Sequence, residues 1–180
     1  MQTSSREGFP MSTLSMSNAI SALPKIIGSL EHILRKAEQN AEERGTDMDV
    51  LLNSRLAPDM HPLYKQVLMV CDMAKMAPYR IAGLTPPKYD DNERSLDELY
   101  GLIKKTQADL AAVKPEQVEG RENAEFMVKL GPRGEVPFTG IVYLSFFTIP
   151  NLHFHLTTAY NILRHNGVPL GKIDYFGGGL

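Results

Sequence analysis

The sequence contains a single cysteine, Cys71, and this scarcity excludes one class of protein at once. A disulfide framework needs at least two cysteines in one chain, so this chain is not a small disulfide-stapled domain. We therefore expect a reducing, cytoplasmic compartment. Cys71 stands among Met69, Val70 and Met73, which indicates a buried small apolar residue and not a reactive nucleophile.

The sequence also lacks an excess of charge of either sign. Its 19 Lys and Arg residues oppose 21 Asp and Glu residues, which gives a net charge of −2. Proteins that bind nucleic acid or anionic membranes carry basic patches, so we expect neither partner. No run approaches the roughly 18 apolar residues that a membrane-spanning helix needs. The first ten residues contain no apolar core of a secretory signal.

Motifs of the common enzyme classes are missing as well. The sequence has no Gly-x-Ser-x-Gly nucleophile elbow, no P-loop and no dinucleotide-binding fingerprint. Gly131 and Gly134 flank a turn between two alternating segments and do not precede a helix, so we expect no phosphate-binding role for them. The hydrophobic pattern is therefore the main source of information.

Hydrophobic residues make up 43% of the sequence, and most of them recur at the spacing of one helical face. Ser95 and Glu98 match a capping box that opens one of these helices. The last helix is the most apolar, so we expect it to be the most buried, with a kink at Pro150. We predict four long helices, over residues 13–44, 63–81, 96–113 and 140–166.

The period changes from helical to two between the third and fourth helices. Phe126, Val128 and Leu130 alternate with polar neighbours, and a Gly-Pro-Arg-Gly turn follows, which predicts a β-hairpin. We therefore predict a mainly α fold, a four-helix bundle with a small hairpin before its last helix. Residues 13–176 form its single domain, residues 1–12 a disordered leader and residues 177–180 a flexible tail.

Polar side chains interrupt the core-facing stripe of the last helix, and the second helix carries polar side chains beside its own apolar stripe. Buried polar groups must find partners, so these residues are the informative ones. If the two helices are in contact, these side chains could converge on one water-filled cavity. The six residues are Asp59, Gln66, Asn151, His155, Thr158 and His165.

We interpret this set as a pocket for a small molecule. His155 would act as the base or as a ligand, oriented by Asn151 or Asp59. The walls would be leucine, methionine and phenylalanine, so the bound molecule would be partly apolar. The remaining three residues would contact it: Gln66, Thr158 and His165.

Each of these residues also has a structural interpretation. Asn151 could bond to backbone freed by the neighbouring proline, and Asp59 could cap the start of the second helix. His165 stands in a last helical turn, where a cation interacts favourably with the helix dipole. Gln66 and Thr158 could hydrogen-bond to other buried polar groups, and His155 could be a hydrogen-bonded histidine of the core.

Several runs of the sequence resemble a family defined by a domain of unknown function, which we associate with the DinB/YfiT-like helical bundles. The resemblance covers Met11 to Phe176, and its most specific part is Leu163–Lys172. It implies a four-helix bundle, a homodimer and a metal site between helices, and a metal-dependent transferase or hydrolase activity as found in some members of the wider group. The runs are Arg55–Met60, Gln66–Val67, Ala82–Gly83 and Ala159–Lys172.

The sequence departs from the metal pattern of that wider group, which uses three histidines with a His-x-x-x-His pair on the last helix. Asn151 stands four residues before His155, where the second histidine would be. His165 lies two to three turns further on, roughly 15 Å along the axis. A divalent transition metal would be held by His155 with His61, from the start of the second helix. Without a metal, a cofactor-free proton-transfer enzyme is the alternative.

A non-catalytic protein is the rival interpretation. In that case the polar stripe is structural or interfacial, and exposed apolar residues such as Phe146 and Tyr160 mark the face of a homodimer.

Overall fold

The computed structural model of the protein describes residues 15–179. The predicted leader, residues 1–12, lies outside the described residues, as does Leu180. The helices are α1 (Met16–Ile20), α2 (Leu23–Arg44), α3 (Met48–Asn53), α4 (Leu63–Ile81), α5 (Leu96–Ala112), α6 (Pro115–Val118), α7 (Gly140–Val142), α8 (Ile149–His165) and α9 (Lys172–Tyr175). The strands are β1 (Glu125–Lys129) and β2 (Glu135–Thr139).

The four predicted long helices are α2, α4, α5 and the run from α7 through α8, and together they form a four-helix bundle. α4 packs along α8 on one side and along α5 on the other, and α5 in turn packs on α2. α2 and α8 meet only over a short length, and α9 lies against α2 beside that seam. The bundle is therefore closed on three sides and looser on the fourth.

The apolar stripe predicted for the second helix forms the centre of the core. Leu63, Val67, Val70 and Ile81 of α4 are all fully buried. The prediction that the last helix is the most buried is wrong. Phe146 is 84% exposed, because the last helix contacts the bundle with one face only and leaves this ring on the other.

A π-helical turn, Tyr143–Thr148, joins α7 to α8 in one continuous helical run. Pro150 follows within the first turn of α8 and has no N–H to donate, so the regular ladder is interrupted there. The side-chain amide of Asn151 donates to the backbone carbonyl of Phe147 nearby. The interruption predicted at Pro150 is thus accompanied by a wider turn in the helix.

Local sequence signals account for several boundaries. Ser95 caps α5 and Glu98 completes the predicted capping box. The predicted first helix is divided in two, since α2 begins at Leu23 with Pro24 in its first turn. In the hairpin, Val128 faces Val136 across the antiparallel pair. No helix within residues 15–179 is long and apolar enough to cross a membrane.

Candidate functional site

The predicted contact between the second and last long helices exists, and it places two of the predicted site residues together. Nδ1 of His155 on α8 lies 2.8 Å from Oε1 of Gln66 on α4. The amide nitrogen of Gln66 donates to the backbone carbonyl of His61, at 3.0 Å. A short chain of hydrogen bonds therefore runs from the loop before α4 to the imidazole.

This chain determines the protonation of the imidazole. The His61 carbonyl can only accept, so it fixes which end of the Gln66 amide is the nitrogen. Oε1 of Gln66 then faces Nδ1 of His155, and Nδ1 must carry the proton that it donates. In the neutral ring Nε2 is consequently unprotonated, with its lone pair available to a partner.

Burial keeps the ring neutral. His155 is only 9% exposed, and desolvation lowers its pKa below the ordinary 6.5, with a further lowering from the nearby charge of His61. The Phe154 ring stands edge-on to the imidazole, with centroids 5.2 Å apart. Nε2 makes no hydrogen bond to any residue between 15 and 179. The result is a neutral hydrogen-bond acceptor beside the Phe154 ring.

The other predicted site residues do not join this chain. The Thr158 hydroxyl is buried and donates to the carbonyl of Phe154, one turn back in its own helix. The Asn151 side chain likewise bonds to its own helix. Asp59 and His165 are exposed, and neither makes a side-chain hydrogen bond with the part of the chain that the structure describes. Two of the six residues are thus in contact, through one hydrogen bond.

The donor set does not fit a three-ligand transition-metal centre. Among the described residues, no three side chains of His, Cys, Asp or Glu lie close enough together to hold one metal ion. His155 and His61 are near each other, and Nε2 of His155 could serve as one ligand, but Asn151 occupies the position of a second histidine on the last helix. Zinc sites in enzymes ordinarily use three protein ligands.

A buried cation between α4 and the segment before α5 was not predicted from the sequence. Lys75 is only 1% exposed. Its Nζ lies 2.8 Å from a carboxylate oxygen of Asp72 and donates a hydrogen bond to the Pro87 carbonyl, also at 2.8 Å. The same nitrogen stands 3.5 Å from the centre of the Tyr89 ring. These contacts fix the segment that connects α4 to α5. The one available signal was the i, i+3 spacing of Asp72 and Lys75.

Cys71 lies beside this cluster and is fully buried, as predicted. Burial raises the pKa of its thiol to about 12, so the reactive thiolate is scarce at neutral pH. A cysteine–histidine nucleophile pair is therefore not supported by the environment of Cys71.

Comparisons with known proteins agree with this architecture. The family described as "Domain of unknown function (DUF1993)" matches residues 16–176. A similar solved structure is the crystal structure of a DinB family member protein from Shewanella denitrificans, 42% identical, with a TM-score of 0.80. The alignment covers 88% of this chain and 89% of that chain. No curated protein matches the sequence.

Proposed function

The chain belongs to the DUF1993 family, and we propose that it binds a small, partly apolar molecule between α4 and α8, at the free edge of His155. The observation that carries this proposal is the hydrogen-bond chain that fixes the proton of a neutral imidazole on Nδ1 and leaves Nε2 without a partner among the described residues. Nε2 is not among the buried unpartnered side-chain atoms of the described residues, so solvent reaches it and a donor from outside the protein can do the same. A cytoplasmic location belongs to the same proposal, supported by the single buried cysteine.

The chemistry of the site follows from the tautomer. Nε2 would accept a hydrogen bond from a hydroxyl or N–H group of the bound molecule, while the apolar part of that molecule lies near Phe154. A neutral imidazole can also take a proton, so a proton-transfer reaction would use the same atom as the base. Gln66 is a positioning residue in this proposal, because it touches only the imidazole and the His61 carbonyl.

Phenol tests the proposal, since it combines an apolar ring with one hydroxyl donor. We expect saturable shifts of the His155 ring signals when phenol is titrated into protein labelled with ¹⁵N-histidine, and loss of saturable binding in His155→Leu. His165→Ala is the matched control, because His165 is exposed on the same helix and should leave phenol binding unchanged. Absence of saturable shifts at His155 in the wild-type protein would contradict the proposal.

The metal-dependent hydrolase or transferase is a weaker alternative, because no three-ligand group is present among the described residues. Elemental analysis of untagged protein purified without chelator decides it. From a site with so few ligands, we expect less than roughly one-tenth of an equivalent of transition metal per chain, in both wild type and His155→Leu. Near-stoichiometric metal that disappears in the variant would establish the alternative and refute the metal-free site.

A homodimer is the second candidate, and exposed apolar side chains on the last helix favour it. Val142, Phe146 and Phe154 are 45%, 84% and 59% exposed, and their spacing places them on one side of the helical run. Tyr160, which the sequence suggested for this face, is less exposed than these three residues. Its ring is half-buried and its hydroxyl donates to the Leu170 carbonyl.

Sedimentation velocity tests the homodimer. We expect wild type to sediment as a dimer and the Phe146→Glu, Phe154→Glu double variant as a monomer, since charges cannot be buried unpaired at an apolar interface. Ile173→Glu is the control, because Ile173 is 65% exposed on α9 and lies outside this face. A wild-type protein that stays monomeric at high micromolar concentration would exclude the homodimer.

A further inference from the structure

The loose seam between α2 and α8 contains a crevice that the proposed His155 site does not use. Its volume is about 660 Å³, within the range of small-molecule pockets. α2 forms one wall, α8 contributes His153 and Leu156, and the chain after α8 returns to close one end with Tyr175 and Phe176. We call this space the α2–α8 crevice.

Gly28 is the unexpected residue in the wall of the α2–α8 crevice. It lies in the interior of a 22-residue helix, where glycine is less favourable than alanine. Its φ is not positive, and a Cβ built there would meet no described atom within 4 Å, apart from its own helix and its chain neighbours. Neither backbone conformation nor close packing therefore requires glycine. The absence of a side chain at Gly28 leaves the α2–α8 crevice open at this point.

The end of the α2–α8 crevice is held in place before any ligand arrives. Oδ1 of Asp174 lies 2.9 Å from Nε2 of His32 and 2.9 Å from Nζ of Lys36, both on α2. At Gly178, φ is +81° and a Cβ would come within 2.7 Å of the His32 ring, so only glycine allows this close approach. These contacts anchor the returning chain on α2, and with it the aromatic wall.

The groups that line the α2–α8 crevice indicate the class of ligand. The walls are largely apolar and aromatic, while Lys25 supplies a positive charge, and none of the described lining residues is Asp or Glu. The Tyr175 hydroxyl lies 2.9 Å from Nδ1 of His153 and 3.1 Å from the Thr157 hydroxyl, which gives the aromatic wall a polar edge. A cation beside apolar walls, with no carboxylate side chain among the described lining residues, favours an anion that carries an apolar body.

We propose that the α2–α8 crevice binds a small organic anion with an aromatic or aliphatic body, seated over Gly28 with its charge at Lys25. This is a second site, on a different face of α8 from His155. It does not depend on the proposed function of the His155 site.

The probe for the test is 8-anilinonaphthalene-1-sulfonate, an aromatic anion whose fluorescence rises in apolar surroundings. We expect one saturable site per chain in the folded wild-type protein, with binding weakened on the order of tenfold or more in Gly28→Leu, whose side chain would fill the crevice. Lys25→Gln should weaken binding about two- to fivefold, the usual effect of one exposed charge.

Gly101→Leu is the matched control, since Gly101 is also a helix-interior glycine with no described atom near its Cβ position, but on α5. It should bind the probe like wild type, and so should His155→Leu if the two sites are separate. Circular dichroism verifies that each variant is folded. Absence of saturable binding, or equal binding by wild type and Gly28→Leu, would overturn the proposal.

Discussion

The hydrogen bond between Gln66 and His155 has a consequence for stability that a double-mutant cycle can measure. Gln66 is 2% exposed and His155 9%, so each needs its partner inside the protein. Gln66→Leu leaves the Nδ1–H of His155 without its acceptor, and His155→Leu leaves Oε1 of Gln66 without its donor. Each single change should lower the free energy of unfolding by about 1–3 kcal/mol.

The double variant should be less destabilised than the sum of the two single variants. With both residues replaced by leucine, neither orphaned group of the pair remains, and the interface between α4 and α8 becomes apolar. We expect the double variant to be more stable than additivity predicts by about 1–3 kcal/mol. Urea unfolding followed by far-UV circular dichroism measures this, since the chain contains no tryptophan for fluorescence.

A second cycle provides the control. Thr158 is buried on the same helix as His155, but its hydroxyl bonds to the carbonyl of Phe154 and not to Gln66. Gln66→Leu and Thr158→Val should therefore add within about 0.5 kcal/mol. If Gln66→Leu and His155→Leu also add within that margin, with unchanged urea m-values, the hydrogen bond does not hold the imidazole and the reasoning fails.

Three further predictions concern other features. The pKa of His155 is lower in the folded protein than the ordinary 6.5 of the unfolded chain, so protonation of this ring favours unfolding and the folded state loses stability as the pH falls below about 6.5. In urea titrations, wild type should therefore lose more free energy of unfolding than His155→Leu between about pH 7.5 and pH 5.5. Equal losses would contradict the lowered pKa. Gly28→Ala and Gly101→Ala should each raise the free energy of unfolding by about 0.5–1 kcal/mol; a loss of stability in Gly28→Ala alone would show that this glycine is needed for packing. Lys75→Met should lower the free energy of unfolding by about 1–3 kcal/mol, because the Asp72 carboxylate and the Pro87 carbonyl lose their partner. An unchanged free energy of unfolding would mean that the buried cation does not stabilise the connection before α5.

Much of the fold follows from local patterns in the sequence. The stripe from Leu63 to Ile81 has the period of a helix and lacks polar interruptions at its centre, so both the helix and its burial were predictable. The capping box at Ser95 and the alternation around Val128 marked a helix start and a hairpin, and both are present. These features depend on neighbours a few residues apart.

The exposure of the last helix could not be read in the same way. Its composition is apolar on more than one side, and composition alone cannot distinguish a buried helix from one that presents an apolar face to solvent. The last helix was therefore predicted to be the most buried, whereas Phe146 and Phe154 are exposed, because burial depends on which helices surround α8. Tertiary packing decides which helices surround α8, and local sequence patterns do not specify it.

The candidate site was predictable in part. His155 and Gln66 lie on the facing sides of their helices, and their contact follows from two helical stripes and the packing of α4 on α8. The bond to the His61 carbonyl was not predictable, because it depends on the path of the loop before α4. Asn151 and Thr158 bond within their own helix, which a helical wheel cannot distinguish from a role in the pocket.

The most direct test of the central claim is the tautomer of His155, measured from ¹H–¹⁵N couplings of its ring at pH 7 and assigned by comparison with His155→Leu. We predict a neutral ring with the proton on Nδ1 and an unprotonated Nε2, because the Gln66 side chain accepts from Nδ1 and burial lowers the pKa. A proton on Nε2, or a charged imidazolium at this pH, would show that the free acceptor on which the proposed binding site depends does not exist.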